Sequence, residues 1–242
     1  LFFFSVGVLQ MSKIRLFFKE QFSKSAGLKL NADKIHYLKR VMRRNDGDEI
    51  LVFNGSEEWM ASLKLSESVL MPEKMIKRNI FVPDINLYFC LLKNKQTNYL
   101  IEKISEIGLR KIIPITSEFS EKYNLNVSRL NKIVIEAVEQ SEGIFVPVVE
   151  NLSNLENVLS NWDKDRKIFI CDEDRKGKPI HKYSLKKNEK ASIFIGPVGG
   201  WSTKDKSLFS NKVNKVNLGS NLLKADTAAI ACLSGLRSLM DV

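Results

Sequence analysis

Residues 193–202 read IFIGPVGGWS, and residues 216–229 read VNLGSNLLKADTAA. In the first stretch an apolar strand, Ser192–Ile195, runs into a loop holding Gly196, Pro197, Gly199 and Gly200. Ser202 and Asp205 then stand at the spacing of a capping box, so a helix is expected to follow. Glycines at the carboxyl end of a strand let the backbone approach a ligand closely, and open α/β sheets bind ligands along that edge. The spacing G-x-x-G-G, late in the chain, does not fit the dinucleotide fingerprint G-x-G-x-x-G, which argues against an oxidoreductase. In the second stretch a strand ends at Leu218 and Gly219, and a polar turn leads into an alanine-rich helix. Asp226 or Thr227 is placed to satisfy that helix's free N–H groups, and Ala228 and Ala229 allow close packing. Either stretch alone is also what a plain strand–loop–helix connection looks like.

Outward from these two stretches, the chain alternates strands and helices from residue 83 onward. Strands are expected at Leu87–Leu92, Lys111–Ile115, Lys167–Cys171, Ser192–Ile195 and Val213–Leu218. A helix is expected over Thr97–Ile107, with Leu100, Ile101, Ile104 and Ile107 on one stripe and Gly108 as its stop. A second starts at Ser128 with Leu130, Ile133, Val134, Ala137 and Val138 facing inward, and a last one covers Asp226–Met240. Such alternation predicts a parallel α/β sheet. The charged stretches Asp163–Lys167 and Asp172–Lys178 read as surface loops.

The first 80 residues have another pattern. Ile14–Phe18 reads as a strand, and Asn31 can cap a helix whose Ile35, Leu38, Val41 and Met42 share a face. Asp46-Gly47 turns the chain into a strand at Glu49–Phe53, and Asn54-Gly55 suggests a hairpin into Trp59–Leu63. Met71-Pro72 to Pro83-Asp84 reads as an exit and linker. The expected division is an N-terminal extension at 1–12, a small β-rich domain at 13–82 and an α/β domain at 83–242. Met11 is the expected natural start, because LFFFSVGVLQ is too short to span a membrane and lacks a basic leader.

The 38 basic and 28 acidic residues leave a net charge of +10, about half of it within the first 82 residues. A phosphate backbone is a fitting partner for such a chain, although lysine-rich solvated faces give the same balance. Lys39, Arg40, Arg43 and Arg44 fall together on one short helix, outward from its apolar face, and read as phosphate contacts. His36 beside them reads as a packing or hydrogen-bonding residue. Phe17, Phe18, Phe53 and Trp59 read mainly as core. Cys90, Cys171 and Cys232 form no CxxC pair, and His36 and His181 are the only histidines. The expectation is therefore no metal and buried free thiols in a reducing cytoplasm.

Together the two glycine segments resemble the cofactor-binding end of the SPOUT methyltransferases, most closely the RsmE family of 16S rRNA (uracil-N3)-methyltransferases. Other RsmE-like stretches follow in order: Arg15-Leu16-Phe17-Phe18, residues 36–43 (HYLKRVMR), Gly47-Asp48, Phe53-Asn54-Gly55 and residues 102–108 (EKISEIG). Ser117-Glu118, residues 136–141 (EAVEQS) and Val146-Pro147 complete the series. The resemblance covers residues 13–240. Departures from the family pattern are Val198 and Trp201 in the first loop, Asn221, Lys224 and Asp226 in the second, and Glu142-Gly143 after the EQS stretch.

The resemblance implies an α/β SPOUT domain with a deep trefoil knot behind a small PUA-like β-barrel that grips RNA. It implies a homodimer that methylates N3 of a uridine in 16S rRNA, within the small ribosomal subunit, using S-adenosyl-L-methionine. The cofactor contacts it implies are Ile195, Gly196, Pro197, Gly199, Gly200, Leu218, Gly219, Ser220, Leu222, Leu223 and Thr227. RNA contacts would come from Arg15, Lys39, Arg40, Arg43 and Arg44, while Lys224, Asn221 and Gln140 are catalytic candidates. Two alternatives stand beside this reading. One is a SPOUT enzyme acting on another RNA nucleotide or on a ribose; the other is a catalytically degenerate RNA-binding protein in ribosome assembly.

Overall fold

The computed structural model describes residues 14–78, 81–171, 174, 176–209 and 213–240. The expected extension at 1–12 lies outside the described residues, as do positions 172, 173 and 175 of the second charged stretch. The chain divides into two units, Leu1–Ile80 and Phe81–Val242.

In the first unit, alternating apolar residues build one mixed sheet. Its strands are β1 (Arg15–Phe17), β2 (Leu28–Lys29), β3 (Glu49–Phe53), β4 (Glu57–Lys64) and β5 (Val69–Arg78), in the order β1-β3-β4-β5-β2. β1 and β3 are parallel and the other pairs antiparallel. Leu16, Ile50, Val52, Trp59, Ala61, Leu63 and Leu70 project to one core. The expected PUA-like β-barrel is found as a half-barrel sheet: among the described residues its ends, β1 and β2, do not pair with each other. The core is completed instead by Leu38 of the intervening helix. Residues 71–78, expected as the start of a linker, belong to β5. Pro72 is tolerated there because it sits at a register irregularity opposite Ala61, where a ladder donor is dispensable.

That helix departs from the expected register. α1 (Ala32–His36) starts at Asn31, whose Oδ1 accepts the Lys34 N–H at 2.9 Å. It runs on into a π-helical turn, Tyr37–Val41, closed by the Met42 N–H donating to the Tyr37 carbonyl at 2.9 Å. The wider turn rotates the following side chains, so Ile35, Leu38 and Met42 face the core while Val41 is 58% exposed.

The second unit is a sheet in which every pairing is parallel: β6 (Ile85–Cys90), β7 (Lys111–Thr116), β8 (Val148–Val149), β9 (Ser153–Asn154), β10 (Arg166–Cys171), β11 (Lys178–Pro179), β12 (Lys190–Ile195) and β13 (Val213–Asn217). The order is β11-β13-β10-β12-β6-β7-β8, with β9 also on β7. Its helices are α2 (Asn94–Ile107), α3 (Val127–Gln140), α4 (Leu155–Ser160), α5 (Thr203–Leu208) and α6 (Ala225–Met240). β6 and β12 are nearly all buried, as central parallel strands covered on both faces should be. Helix α2 buries Leu100, Ile101 and Ile104 and ends at Gly108, while α3 buries Leu130, Val134, Ala137 and Val138. Arg166 is no surface-loop residue. Its guanidinium holds Asp84 at 2.7 Å and the Ala191 carbonyl at 2.8 Å, tying β10 to β12 and to the lead-in of β6.

The chain leaves β6 toward β7 and leaves β12 toward the opposite edge. The β6/β12 boundary is thus a switch point, and a crevice opens beyond the carboxyl ends of these strands.

Candidate active site

The crevice holds a cavity of about 540 Å³, within the range of small-molecule sites. Four strand ends contribute to it: Leu92 and Lys93 after β6, Cys171 at the end of β10, Ile195 to Gly196 at the end of β12, and Val216, Leu218 and Gly219 at the end of β13. The two glycine segments that dominated the sequence are thus brought face to face.

The first loop is a tight turn. The Gly200 N–H donates to the Pro197 carbonyl at 2.9 Å, and Gly200 takes φ +75°, a left-handed conformation that favours glycine. Val198 stands at the turn's tip, 81% exposed. Trp201 is buried, edge-to-face with Phe209 at 5.3 Å, and its indole lies flush on Gly196, where a Cβ would come within 3.0 Å of the ring. Behind the loop the capping box forms as expected. Ser202 Oγ accepts the Asp205 N–H at 2.9 Å, and Asp205 Oδ2 accepts the Ser202 N–H at 3.1 Å, with Asp205 itself buried. The second loop starts with Gly219 at φ +120°, its N–H bound to Asn217 Oδ1 at 2.8 Å, and passes into α6.

Of the residues expected to hold the cofactor, Ile195, Gly196, Pro197, Gly200, Leu218, Gly219, Leu222 and Leu223 line the cavity. Gly199, Ser220 and Thr227 do not. Gly199 sits at the turn tip with space around it, since a Cβ there would meet only Phe119 Cβ at 3.7 Å. Ser220 faces a shallow hollow with Pro179 and Asn217, and Thr227 is exposed on α6. Lys224 and Asn221 line the cavity, whereas Gln140 lies exposed at the end of α3, away from the wall.

Several wall residues escaped the sequence reading. Leu92, Lys93 and Gln96 come from the β6–α2 junction, and Glu121 and Tyr123 from the β7–α3 connection. The first group was findable, because β6 is the central strand and its carboxyl end must face the crevice. The second had no periodic signal. Glu121 accepts a hydrogen bond from the Tyr123 hydroxyl and thereby raises the phenol's pKa. Lys93 and Lys224 set two cations against this one carboxylate on the wall. Cys171 borders the cavity with its thiol toward the Ala228 carbonyl at 3.8 Å, and its hydrogen bond with buried Cys232, reinforced by burial, holds the Cys232 thiol protonated well above the ordinary range. Among the described residues no three His, Cys, Asp or Glu side chains converge on a point that a metal ion would occupy, and no helix is long and apolar enough to cross a membrane.

In the first unit Lys39, Arg40 and Arg43 are exposed along the π-turn and just beyond it. His36, expected to pack or to hydrogen-bond, is exposed beside them, and Arg44 is partly turned toward Asp48 at 3.9 Å. Arg15 requires correction as an RNA contact. Its side chain is 4% exposed, paired with the 1%-exposed carboxylate of Glu58 at 2.7 Å, and stacked over Phe53 at 4.6 Å. Although β1 is an edge strand, a guanidinium buried against Glu58 and Phe53 is not offered to a phosphate backbone.

The model of the RNA methyltransferase domain matches residues 81–237, and that of the RNA methyltransferase PUA domain matches residues 30–66. Ribosomal RNA small subunit methyltransferase E of Rickettsia conorii is 27% identical over 93% of this chain and 95% of its own length. The protein of that name from Bacillus subtilis is 26% identical over 90% of this chain and 92% of its own. Among solved structures, a ribosomal RNA small subunit methyltransferase E from Neisseria gonorrhoeae, bound to S-adenosyl methionine, superposes with a TM-score of 0.85 at 21% identity, covering 94% of this chain and 98% of that one. With its glycine segments meeting at a ligand-sized crevice and residues 81–237 matched as one domain, the chain belongs to the RNA methyltransferase family.

Proposed function

We propose that this chain transfers a methyl group from S-adenosyl-L-methionine to N3 of a specific uridine in 16S rRNA, as a cytoplasmic homodimer. The observation that carries the reading is the cavity between the Gly196–Gly200 turn and the Leu218–Leu223 loop, in a chain similar along nearly its whole length to small-subunit rRNA methyltransferases. In this reading Phe81–Val242 is a SPOUT domain with a trefoil knot, and its all-parallel sheet is consistent with that class. The first unit, PUA-like in sequence, presents Lys39, Arg40 and Arg43 to RNA phosphates. The assembled small subunit is the expected substrate.

The cavity fits the cofactor in volume and in chemistry. Apolar Ile195, Val216 and Ala228 suit an adenine ring, wall backbone at Gly196 and Leu218 suits its polar edges, and Glu121 suits a cationic amino group. When bound, S-adenosylmethionine supplies a methyl group already activated by its positive sulfur. The protein's task is then to hold the uracil nitrogen in line with that carbon. Lys224 and Lys93 on the wall supply positive charge for a uracil that becomes anionic as its N3 proton passes to solvent water. Asn221, also on the wall, would orient the base by its amide.

Unmodified small subunits, incubated with the full chain and cofactor carrying a labelled methyl group, then digested to nucleosides, are expected to yield 3-methyluridine. Label on a ribose or another base would change the acceptor and keep the enzyme class. Cofactor binding without any transfer would overturn the catalytic reading.

A further inference from the structure

The turn Ser117–Ser120 after β7 is unusually well fixed for a surface feature. The Ser120 N–H donates to the Ser117 carbonyl at 3.2 Å, and the Ser117 N–H donates to Ser120 Oγ at 2.8 Å. The two hydroxyls lie 3.1 Å apart, and the Glu118 N–H reaches buried Asp205 Oδ1 at 3.4 Å, anchoring the turn to the start of α5. What this scaffold displays is Phe119, 53% exposed and beside the tip of the Pro197–Gly200 turn at Gly199. Two more apolar side chains stand out on the cavity wall: Val198 at 81% exposure and Leu222 at 73%. An aromatic ring held in water by a rigid turn carries a hydration cost that packing inside this chain does not relieve.

We propose that Phe119 is the stacking platform for the target nucleobase, with Val198 and Leu222 as the apolar lips between which the base enters the cavity. The inference rests on the methyltransferase reading above. A base modified at a ring nitrogen must leave its stack to reach the methyl donor, and proteins that hold unstacked bases do so on aromatic faces. The charge pattern selects the same occupant. Lys93 and Lys224 on the wall suit a base that becomes anionic in the cavity, and they disfavour a purely apolar partner. Phe119 belongs to no cofactor wall, so its role is separable from cofactor binding.

The test uses the full chain with small-subunit RNA containing 5-iodouridine, irradiated in the presence of S-adenosylhomocysteine, with crosslinked peptides mapped by mass spectrometry. Crosslinks are expected at Phe119. In parallel, Phe119→Ala is expected to lower kcat/KM for unmodified subunits by roughly 5- to 150-fold, the range a lost base–aromatic stack gives. Cofactor affinity should be unchanged, and Phe119→Trp should retain the rate. Wild-type kcat/KM in Phe119→Ala would overturn the proposal. So would a change in sedimentation from dimer to monomer, which would assign the ring to a second copy of the chain. If the wild-type protein crosslinks at Phe119 yet transfers no methyl, the docking site stands and the catalytic reading falls. If it transfers methyl while residue 119 never crosslinks, the reverse holds.

Discussion

Replacing Gly196 by alanine adds one carbon atom in the place where the first loop has least room. The new Cβ would stand 3.0 Å from Trp201 Cε2 and Nε1 and 3.2 Å from Cδ2. Trp201 cannot simply retreat, because it is 7% exposed and braced edge-to-face by Phe209, which in turn packs edge-to-face on Phe194 at 5.2 Å. Overpacking of this kind costs about 1–3 kcal/mol. The open side available to the indole is the cavity it lines, so bound cofactor would have to push it back against the strain. Converted at about 1.4 kcal/mol per decade, the dissociation constant for S-adenosylmethionine should rise about 5- to 150-fold. Isothermal titration calorimetry on the full chain measures it directly. Gly199→Ala is the control, since its Cβ would meet only Phe119 Cβ at an ordinary 3.7 Å, and cofactor affinity should stay within about twofold of wild type, far below the overpacking range. Unchanged affinity in Gly196→Ala, or equal losses in both variants, would refute the reasoning.

Arg15→Met should destabilise the first unit by about 3–5 kcal/mol, because it leaves the Glu58 carboxylate buried with only Lys77 at 3.6 Å; hydrogen exchange of the β3 and β4 amides would reveal it, and wild-type protection would contradict it. Replacing Lys39, Arg40 and Arg43 together by alanine should weaken RNA binding and reduce the salt dependence of log K by about 0.7–0.9 per lost contact, with calorimetric cofactor affinity untouched. An unaltered salt slope would remove the helix from the RNA interface. Iodoacetamide should label Cys171 first, and saturating cofactor should slow that labelling; equal labelling with and without cofactor would place the thiol outside the site. Burial raises the Cys90 pKa above the ordinary thiol value of 9.0, and the Cys171 contact together with burial raises that of Cys232 further. Both thiols are therefore neutral in the folded state when the unfolded chain begins to ionise. Their contribution is complete below that ordinary value and is lost as pH rises through the folded pKa values, so stability should decline on the alkaline side. Denaturant midpoints that stay level in this region, for wild type against the Cys232→Ala variant, would show that Cys232 has no part in it.

The alternation of strand and helix beyond residue 83 was legible because each segment obeys one dominant rule. Parallel central strands are apolar runs, and α2 and α3 carry 3.6-residue stripes ended by Gly108 or by a polar turn. The two glycine loops were legible for a related reason, since sharp turns restrict composition. Three things were not. Val41 was assigned inward because ordinary helical periodicity places it over Leu38, and a single π-turn, which leaves no mark in composition, rotates it outward. Residues 71–78 were assigned to a linker on the strength of Pro72, although a proline opposite an irregularity leaves the strand intact. Arg15 is expected at the RNA from the resemblance of the Arg15–Phe18 stretch, and its pairing with Glu58, 43 residues away, holds it in the interior instead. Within the site, Glu121 and Tyr123 come from an irregular connection whose path is set by the sheet it crosses, not by its own residues.

The tie between α6 and α2 bears on the order in which the molecule is made. Arg237, near the end of the described chain, reaches back to donate to the Ile107 carbonyl at 2.6 Å, on the first helix of the second unit, and its guanidinium occupies the space beside Gly108. The same helix supplies Ala225 and Ala228 to the cavity wall. During synthesis, then, the sheet through β12 can be laid down strand by strand while the cofactor crevice still lacks one side. A nascent polypeptide emerging from the exit tunnel would carry the whole first unit long before it has any place to hold a methyl donor. The capacity to modify RNA is therefore withheld until α6 has been translated and has docked.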